Sequence, residues 1–427
     1  MRISIIGLGY VGLPLAMAFG EKYRVLGYDI DPKRIAELRV GNDHTLEVKE
    51  EALLALIDHY QQNDEAAGIF FTDDVSELKD CNTYIITVPT PVDSNHAPDL
   101  ALLKMATKTV AGILKKGDIV IYESTVFPGC TEEIAVPILE KLSGLMFNMD
   151  FFCGYSPERI NPGDKKRTIG DIRKITSGST QATRERVDAL YASIIKAGTY
   201  SAPSIKIAEA AKVIENTQRD INIAFVNELA RIFHLLDIDT REVLKAAATK
   251  WNFLPFEPGL VGGHCIGIDP YYLADKARAV GYDPAIIVSA RKMNDSMGGY
   301  VAQRVIDLMA QKAVFHPGAE VLIMGITFKE NFADVRNSKV VDIVQALDAY
   351  HLSLTICDPV ANPGEVTKAY GLQSSTTIDT TKKYAAIIIA VGHAAFLNLD
   401  YDSMLIENGV LFDVKGVLEM DRVDGRL

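Results

Sequence analysis

The stretch ISIIGLGYVG, Ile3 to Gly12, decides the fold. A short apolar run ends in Gly7, Gly9 and Gly12, spaced G-x-G-x-x-G. That spacing means little alone. Here it follows a predicted strand and opens a helix-like stretch, the context the motif needs. The first glycine permits a tight turn, the second lets backbone approach a pyrophosphate, and the third lets helix pack closely on strand. The helix N-terminus then offers N–H groups and a positive dipole end to phosphates. The reading is a dinucleotide site. The next predicted strand, YRVLGYDID, ends at Asp29. A carboxylate there can accept from a ribose 2′-OH and repels a 2′-phosphate, so NAD is favoured over NADP. Arg34, five residues on, complicates that preference.

Working outward, TYIITVPTP, DIVIYESTV and MDFFCGYSP are further apolar runs, each ending where polar or Gly/Pro residues begin. This predicts buried parallel strands with loops at their C-terminal ends, a doubly wound α/β arrangement. From about residue 204, SIKIAEAAKVIENTQRDINIAFVNELARIFHLLDI has no Gly or Pro and helical apolar spacing. Its length predicts a helix that bridges domains or forms a subunit interface. A second helical stretch is expected through IIVSARKMNDSMGGYVAQRVIDLMAQK. AEVLIMGITF, LSLTICDP, YAAIIIAVG and VLFDVKG then read as four more strands.

The 427 residues suggest two or three domains. With 48% hydrophobic and 23% charged residues, the chain reads as soluble and globular. A net charge of −12 argues against a nucleic-acid partner, which needs a basic surface. The opening MRISIIGLGY reads as neither signal peptide nor membrane span, so a cytoplasmic location and no membrane partner are expected. Cys81, Cys130, Cys153, Cys265 and Cys357 are scattered, with no C-x-x-C pair. That suggests neither a disulfide framework nor a structural zinc site. Cys81, Cys153 and Cys357 are expected in or near the core, and Cys130 in a structural turn.

EAAKVIENTQRD places Glu209, Lys212 and Asn216 at i, i+3 and i+7. One helical face thus carries an ammonium and an amide a turn apart. A solvated face and a partly buried functional one are both open. Ser124 and Thr125 of YESTVFPGC, and Glu158 and Arg159 of GYSPERINPGD, stand at strand ends, where open α/β sheets bind ligands. Ordinary turns are the other reading. In GITFKENFADVRNSK, Lys329 and Arg336 follow a strand. They suit a pyrophosphate, Arg as a fork and Lys as a point charge, or are surface charges on a solvated loop. In GGHCIGIDPYY, residues 262–272, Cys265 reads as nucleophile, metal ligand or small buried residue. The metal reading is poor, because no His/Cys cluster supports it.

Together these motifs resemble the UDP-glucose/UDP-mannose dehydrogenase superfamily across essentially the whole chain. They come in family order: G-x-G-x-x-G, S-T-V-x-P-G, S-P-E, A-E-x-x-K-x-x-E-N, G-G-x-C and F-K-x-N-x-x-D-x-R. The branch acting on UDP-N-acetylhexosamines is the closest in pattern. UDP-glucose enzymes read G-G-x-C-F-x-K-D, whereas Ile268 stands here in place of that lysine. Pro162 replaces a second glutamate after S-P-E. Lys250 is the nearest cation where those enzymes carry an arginine that reaches a neighbouring subunit.

The resemblance implies an α/β fold with two Rossmann-like doubly wound domains and a central helical domain built on the long helix. Residues 1–200 would bind NAD, 201–300 would carry catalytic residues and a dimer interface, and 301–427 would bind UDP-sugar. It implies oxidation of the C6 alcohol of a UDP-N-acetylhexosamine to the carboxylate with two NAD, serving surface polysaccharide synthesis. UDP-N-acetylglucosamine and UDP-N-acetylgalactosamine come first, ahead of UDP-N-acetylmannosamine and UDP-glucose. Cys265 would be the nucleophile. Lys212 and Asn216 would stabilise oxyanions, Asp269 would position or activate water, and Glu158 and Thr125 would relay protons through water. Gly7, Gly9, Tyr10, Val11 and Gly12 would hold NAD, with Asp29, Arg34, Thr90 and Thr125. Glu158, Arg159, Ile160, Lys212, Asn216 and Arg219 would meet the substrate, as would Leu254, Gly262, Phe328, Lys329, Arg336 and Lys415. No metal is implied, and a homodimer or higher homo-oligomer is. Two competing readings remain: a single-oxidation hydroxyacid dehydrogenase, which would lack the Gly-rich cysteine loop, and a non-catalytic nucleotide-sugar sensor.

Overall fold

The computed structural model describes residues 1–45, 47–62, 67–93, 95–160 and 168–427. Pro162 therefore lies outside the described residues. The chain divides into two compact units, one of residues 1–215 and 271–281, the other of residues 216–270 and 282–427.

In the first unit the strands are β1 Arg2–Ile6, β2 Arg24–Tyr28, β3 Gly68–Thr72, β4 Thr83–Ile86, β5 Ile119–Tyr122 and β6 Phe152–Tyr155. They form one parallel sheet, ordered β3-β2-β1-β4-β5-β6 among the described residues. The apolar runs build its centre because both faces are covered: Thr83–Ile86 and Ile119–Tyr122 are buried throughout. Ile3, Ile5, Phe19, Phe71, Ile85 and Ile121 share one core. Full burial of a Phe19-sized side chain contributes about 2 kcal/mol. The short pair β7 Lys174–Thr176 and β8 Thr199–Ser201 stands apart as a parallel ribbon. β3, β7 and β8 lie outside the runs singled out by hydropathy.

The strand order reverses between β1 and β4, which makes the space beyond their C-terminal ends the switch point. The helix Gly12–Gly20 starts there, directly after the glycine loop.

The Gly- and Pro-free stretch forms one 31-residue helix, Ile205–Leu235, and the division between units falls inside it. The second predicted helical stretch is two helices, Ala285–Asp295 and Met297–Gln311, separated at Ser296.

In the second unit β9 Glu320–Met324, β10 Ser353–Cys357, β11 Tyr384–Ile389, β12 Leu405–Asp413 and β13 Gly425–Arg426 form a parallel sheet ordered β10-β9-β11-β12-β13. This is the other common doubly wound order, with its switch point between β9 and β11. Val321, Ile323, Ile343, Ile388, Val410 and Phe412 belong to its main core.

Candidate active site

In the first unit the loop after β1 has the form a dinucleotide needs. Gly7 takes φ +95°. A Cβ on Gly12 would lie 1.8 Å from the Gly7 carbonyl oxygen, so helix and strand approach too closely for any side chain. A Cβ on Gly9 would meet nothing within 4 Å, leaving open space against the backbone there. Tyr10 and Val11, which complete the loop, are half-buried. Asp29 directly follows β2, and its carboxylate is oriented by the N–H groups of Leu8 at 2.8 Å and Asp31 at 3.1 Å. These residues fit NAD: an open glycine, a helix N-terminus and a fixed, partly exposed carboxylate.

Arg34 is buried and already occupied. It donates to the Leu8 carbonyl at 3.0 Å and to Asp43 at 2.7 Å. Burial works to raise the Asp43 carboxyl, but hydrogen bonds from Thr45 and Arg34 outweigh it and hold the group low. Arg34 thus braces the glycine loop with its charge compensated in place.

Thr90 and Thr125 are brought together: the Thr90 hydroxyl donates to the Thr125 carbonyl at 2.6 Å. Lys212 sits on the long helix and is 7% exposed, so the solvated-face reading does not hold for it. One turn before it, Glu209 is fully buried and accepts from the N–H of Thr131 at 2.9 Å and that of Gly129. That bond ties the helix to the loop following Thr125. Burial pushes the Glu209 carboxyl up to about 7.

Glu158 accepts from its own neighbours, Arg159 N–H at 2.5 Å and Ile160 N–H at 2.6 Å, and from Lys174 at 2.8 Å. Arg159 is turned to Glu215, at 2.8 Å. Sequence reasoning missed Lys174 and its other partner, Glu123. Glu123 immediately precedes the Ser124 that was noticed. Lys174 gives no local signal, since it opens a three-residue strand.

In the second unit Asn216 is 2% and Asp269 1% exposed, and the Asn216 amide donates to the Asp269 carboxylate at 2.5 Å. Arg219 donates to the Asn216 oxygen at 2.6 Å. Asp269 N–H reaches back to the Cys265 carbonyl at 2.9 Å, so the cysteine loop and this pair are one local structure. The other cysteines are buried, and Cys265 alone among the five is partly exposed. Burial pushes the Cys81 thiol up to about 12 and raises Cys130, Cys153 and Cys357 as well. Those four are therefore poor thiolates.

Two features of the stretch 328–337, unweighed in the sequence, fix the cysteine loop. Asn337 donates to the Gly263 carbonyl at 2.7 Å, and Gly263 N–H returns a bond to the Asn337 carbonyl at 3.1 Å. Asp334 lies 3.2 Å from His264 and accepts from Arg336 at 2.7 Å. Burial opposes its charge, yet His264 and Arg336 hold its carboxyl well below the usual range. His264 is thus a loop residue with a carboxylate partner.

At the switch point of the second sheet, an open recess is lined by Gly262, Thr327, Phe328, Lys339, Val391 and Lys415, among others. Gly262, Phe328 and Lys415 were expected at a substrate, and the structure brings them together. Lys329 and Arg336 both follow β9. Arg336 is paired with Asp334 and half-exposed, and Leu254 is 52% exposed. Among the described residues no His/Cys/Asp/Glu group could hold a metal ion, and no helix is long and apolar enough to cross a membrane.

Residues 1–195, 206–296 and 322–420 match in turn the NAD binding, central and UDP binding domains of the UDP-glucose/GDP-mannose dehydrogenase family. The second nucleotide sugar in that family's name is GDP-mannose, where the sequence reading had UDP-mannose. The chain is 52% identical to the UDP-N-acetyl-D-glucosamine 6-dehydrogenases of Pseudomonas aeruginosa and Salmonella typhi, covering all of this chain and 99% of each relative. The structure of the UDP-D-ManNAc dehydrogenase of Pyrococcus horikoshii is similar, with a TM-score of 0.88 and 29% identity over 100% of this chain and 98% of that one. The chain belongs to the UDP-glucose/GDP-mannose dehydrogenase family and is an NAD-dependent oxidoreductase.

Proposed function

We propose that the protein oxidises the C6 alcohol of UDP-N-acetylglucosamine to the carboxylate, in two steps. The observation that carries this reading is the 52% identity, end to end, with two UDP-N-acetyl-D-glucosamine 6-dehydrogenases. NAD, when bound, supplies the hydride acceptor for each oxidation.

The chain's own residues divide the remaining work. The first oxidation gives an aldehyde, and the Cys265 thiolate adds to it, forming a thiohemiacetal that can be oxidised again. The resulting thioester is cleaved by water. The Lys212 ammonium and the Asn216 amide, a turn apart on one helix, suit the negative oxygen of each tetrahedral species. Asp269 holds Asn216 in orientation, and its carboxylate suits the positioning of water. Glu158 and Thr125 relay the released protons through water. Arg336, Lys329 and Lys415 hold the anionic nucleotide around the recess that Lys415 lines. The partly exposed thiol favours this reading over a single oxidation, which needs no nucleophile, and over a sensor.

We also propose the division into 1–200, 201–300 and 301–427 as the functional one, and a homodimer as the working form. On the long helix Ile207, Ile214, Phe225 and Ile232 are 43–53% exposed. At 3.6 residues per turn they fall on one line of the helix, an apolar stripe suited to a second copy. Sedimentation of the chain as a monomer would refute the dimer.

The activity is tested by NADH counting against a panel of UDP-sugars. About two NADH per UDP-N-acetylglucosamine are expected. One NADH with accumulating aldehyde would sink the cysteine mechanism. Preference for another epimer would move the substrate and leave the mechanism standing.

A further inference from the structure

In the first unit a lysine, a glutamate and a tyrosine are buried together, with a second, partly buried glutamate beside them. Lys174, on β7, is 2% exposed, and its ammonium donates to Glu123 at 2.7 Å and Glu158 at 2.8 Å. Glu123 follows β5, is 1% exposed, and accepts from the Tyr191 hydroxyl with its other oxygen. The second Glu158 oxygen takes the N–H groups of Arg159 and Ile160. Burying such charges is costly, and well-packed apolar residues often do as well for stability. The arrangement therefore asks for a reason beyond stability, and Glu158 supplies one.

We infer that Lys174 is a positioning residue for the proposed reaction. Its ammonium fixes the Glu158 carboxylate as an oriented acceptor, and Glu123 accepts from the same ammonium and holds it in place. This rests on the role of Glu158 given above. In thioester cleavage, water forms the new C–O bond and the C–S bond breaks. Cys265 leaves as thiolate, and the water's proton passes to Glu158 and on to solvent. A base that does this must be ionised at working pH and must not rotate away.

The electrostatics agree with the geometry. Burial favours the neutral form of Glu158, but the Lys174 charge and the two backbone N–H groups outweigh it and hold the carboxyl low. Glu123, where burial dominates and Glu158 adds repulsion, is pushed up to about 7. As pH falls, Glu123 therefore takes up a proton before Glu158, which stays the ionised base. The groups facing this pair are Lys174 from β7, Tyr191 from the helix Gln181–Ala192, and Ser156 and Arg159 from the loop after β6, with Arg159 paired to Glu215.

The test compares pH profiles of kcat for Lys174→Met, Lys174→Arg, Glu123→Gln and Glu158→Gln. Without that ammonium, Glu158 loses the charge that offsets its burial and protonates more easily. For Lys174→Met the acid limb should rise by about one pH unit or more. kcat near neutrality should fall about 10- to 100-fold while KM for the UDP-sugar holds. Intact-mass spectra should show acyl adduct building on Cys265, and Lys174→Arg should largely restore the profile. Glu123→Gln replaces a carboxyl that is already protonated along the acid limb and should leave the limb in place, whereas a limb moved to higher pH would put the ionised base on Glu123 and overturn the assignment. A merely structural lysine predicts an equal loss at all pH values, with the limb unmoved, and that result overturns the inference. If Lys174→Met does not fold, Lys174→Gln, which keeps a donor and loses the charge, decides in its place, since an unmoved limb there is equally fatal. Near-normal kcat in Glu158→Gln would bring down the Glu158 reading itself. An inactive Glu158→Gln with an unmoved Lys174→Met limb would bring down only Lys174.

Discussion

After β1, Gly7 takes φ +95° and donates its N–H to the Tyr28 carbonyl at 2.9 Å. After β9, Gly325 takes φ +95° and donates to the Cys357 carbonyl at 2.8 Å. In both units the next strand of the sheet ends in a carboxylate that receives loop N–H groups: Asp29 from Leu8, Asp358 from Ile326 and Thr327. From there the two diverge. In the first unit the helix begins at Gly12, so its N-terminus stands over the loop. In the second no helix starts until Val340, and the intervening chain carries Lys329, Asp334, Arg336 and Asn337. Asp29 remains partly exposed, whereas Asp358 is 1% exposed and closed over by His393, 3.0 Å away. One strand–turn–strand frame thus serves two ends. With an open carboxylate and a helix N-terminus it suits a dinucleotide. With a sealed carboxylate and a long cationic loop it suits a different anionic ligand.

The comparison can be broken by removing the two carboxylates in turn. Asp358→Ala should give the larger effect, on the fold. It strips acceptors from Ile326, Thr327, Val360 and Ala361 and takes the carboxylate from a fully buried His393, which keeps Thr327 and the Asn331 N–H. The expected cost is about 3–5 kcal/mol, read from urea unfolding. Its pH dependence has a definite sign. Burial opposes the charge, but His393 and the backbone N–H groups hold the folded carboxyl far below the usual range. The stabilisation is therefore complete above the unfolded carboxyl value of about 3.9 and fades as pH falls below it toward the folded value. Asp358→Ala should lack that part of the acid sensitivity. Asp29→Ala should cost about 0.5–1.5 kcal/mol of stability and about 1.5–3 kcal/mol of NAD affinity, with UDP-sugar binding intact. Calorimetry showing both ligands weakened alike would undo the assignment of the two loops.

How much of this the sequence reveals depends on how local each feature is. The glycine loop, Asp29 and the long helix are local: their signal is spacing within a dozen residues or an unbroken helical period. ICDP at the end of β10 looks as open as YDID at the end of β2, because the residue that seals Asp358 lies 35 positions on. Lys174 meets Glu123 across 51 residues, and Asn337 meets Gly263 across 74. No periodicity encodes such pairs. The strand GIFFT of β3 is apolar enough to find in hindsight, yet it opens on a glycine at φ +137° pressed against the Leu56 carbonyl and Tyr60 backbone. From the residues alone Cys265 was legible as unusual, with nucleophile, metal ligand and small buried residue all open, and the resemblance is what favoured nucleophile. What separates it from the four buried cysteines is its partial exposure, which composition does not carry.

The finest test stays inside the first loop and separates ligand from fold. Gly9 is not among the glycines of positive φ, and a Cβ there would meet nothing within 4 Å. Alanine can adopt that backbone without strain. Replacing glycine at such a site restricts the unfolded chain and stabilises by about 0.4–1 kcal/mol. The open space is what the second glycine of the motif provides for backbone to meet a pyrophosphate. Gly9→Ala should therefore keep or slightly raise Tm while weakening NAD at least about tenfold. UDP-sugar affinity should not change, since the loop after β9 is untouched. A fall in Tm would mean the space at Gly9 is used by the fold. Undiminished NAD affinity would mean the cofactor does not approach the backbone at this glycine.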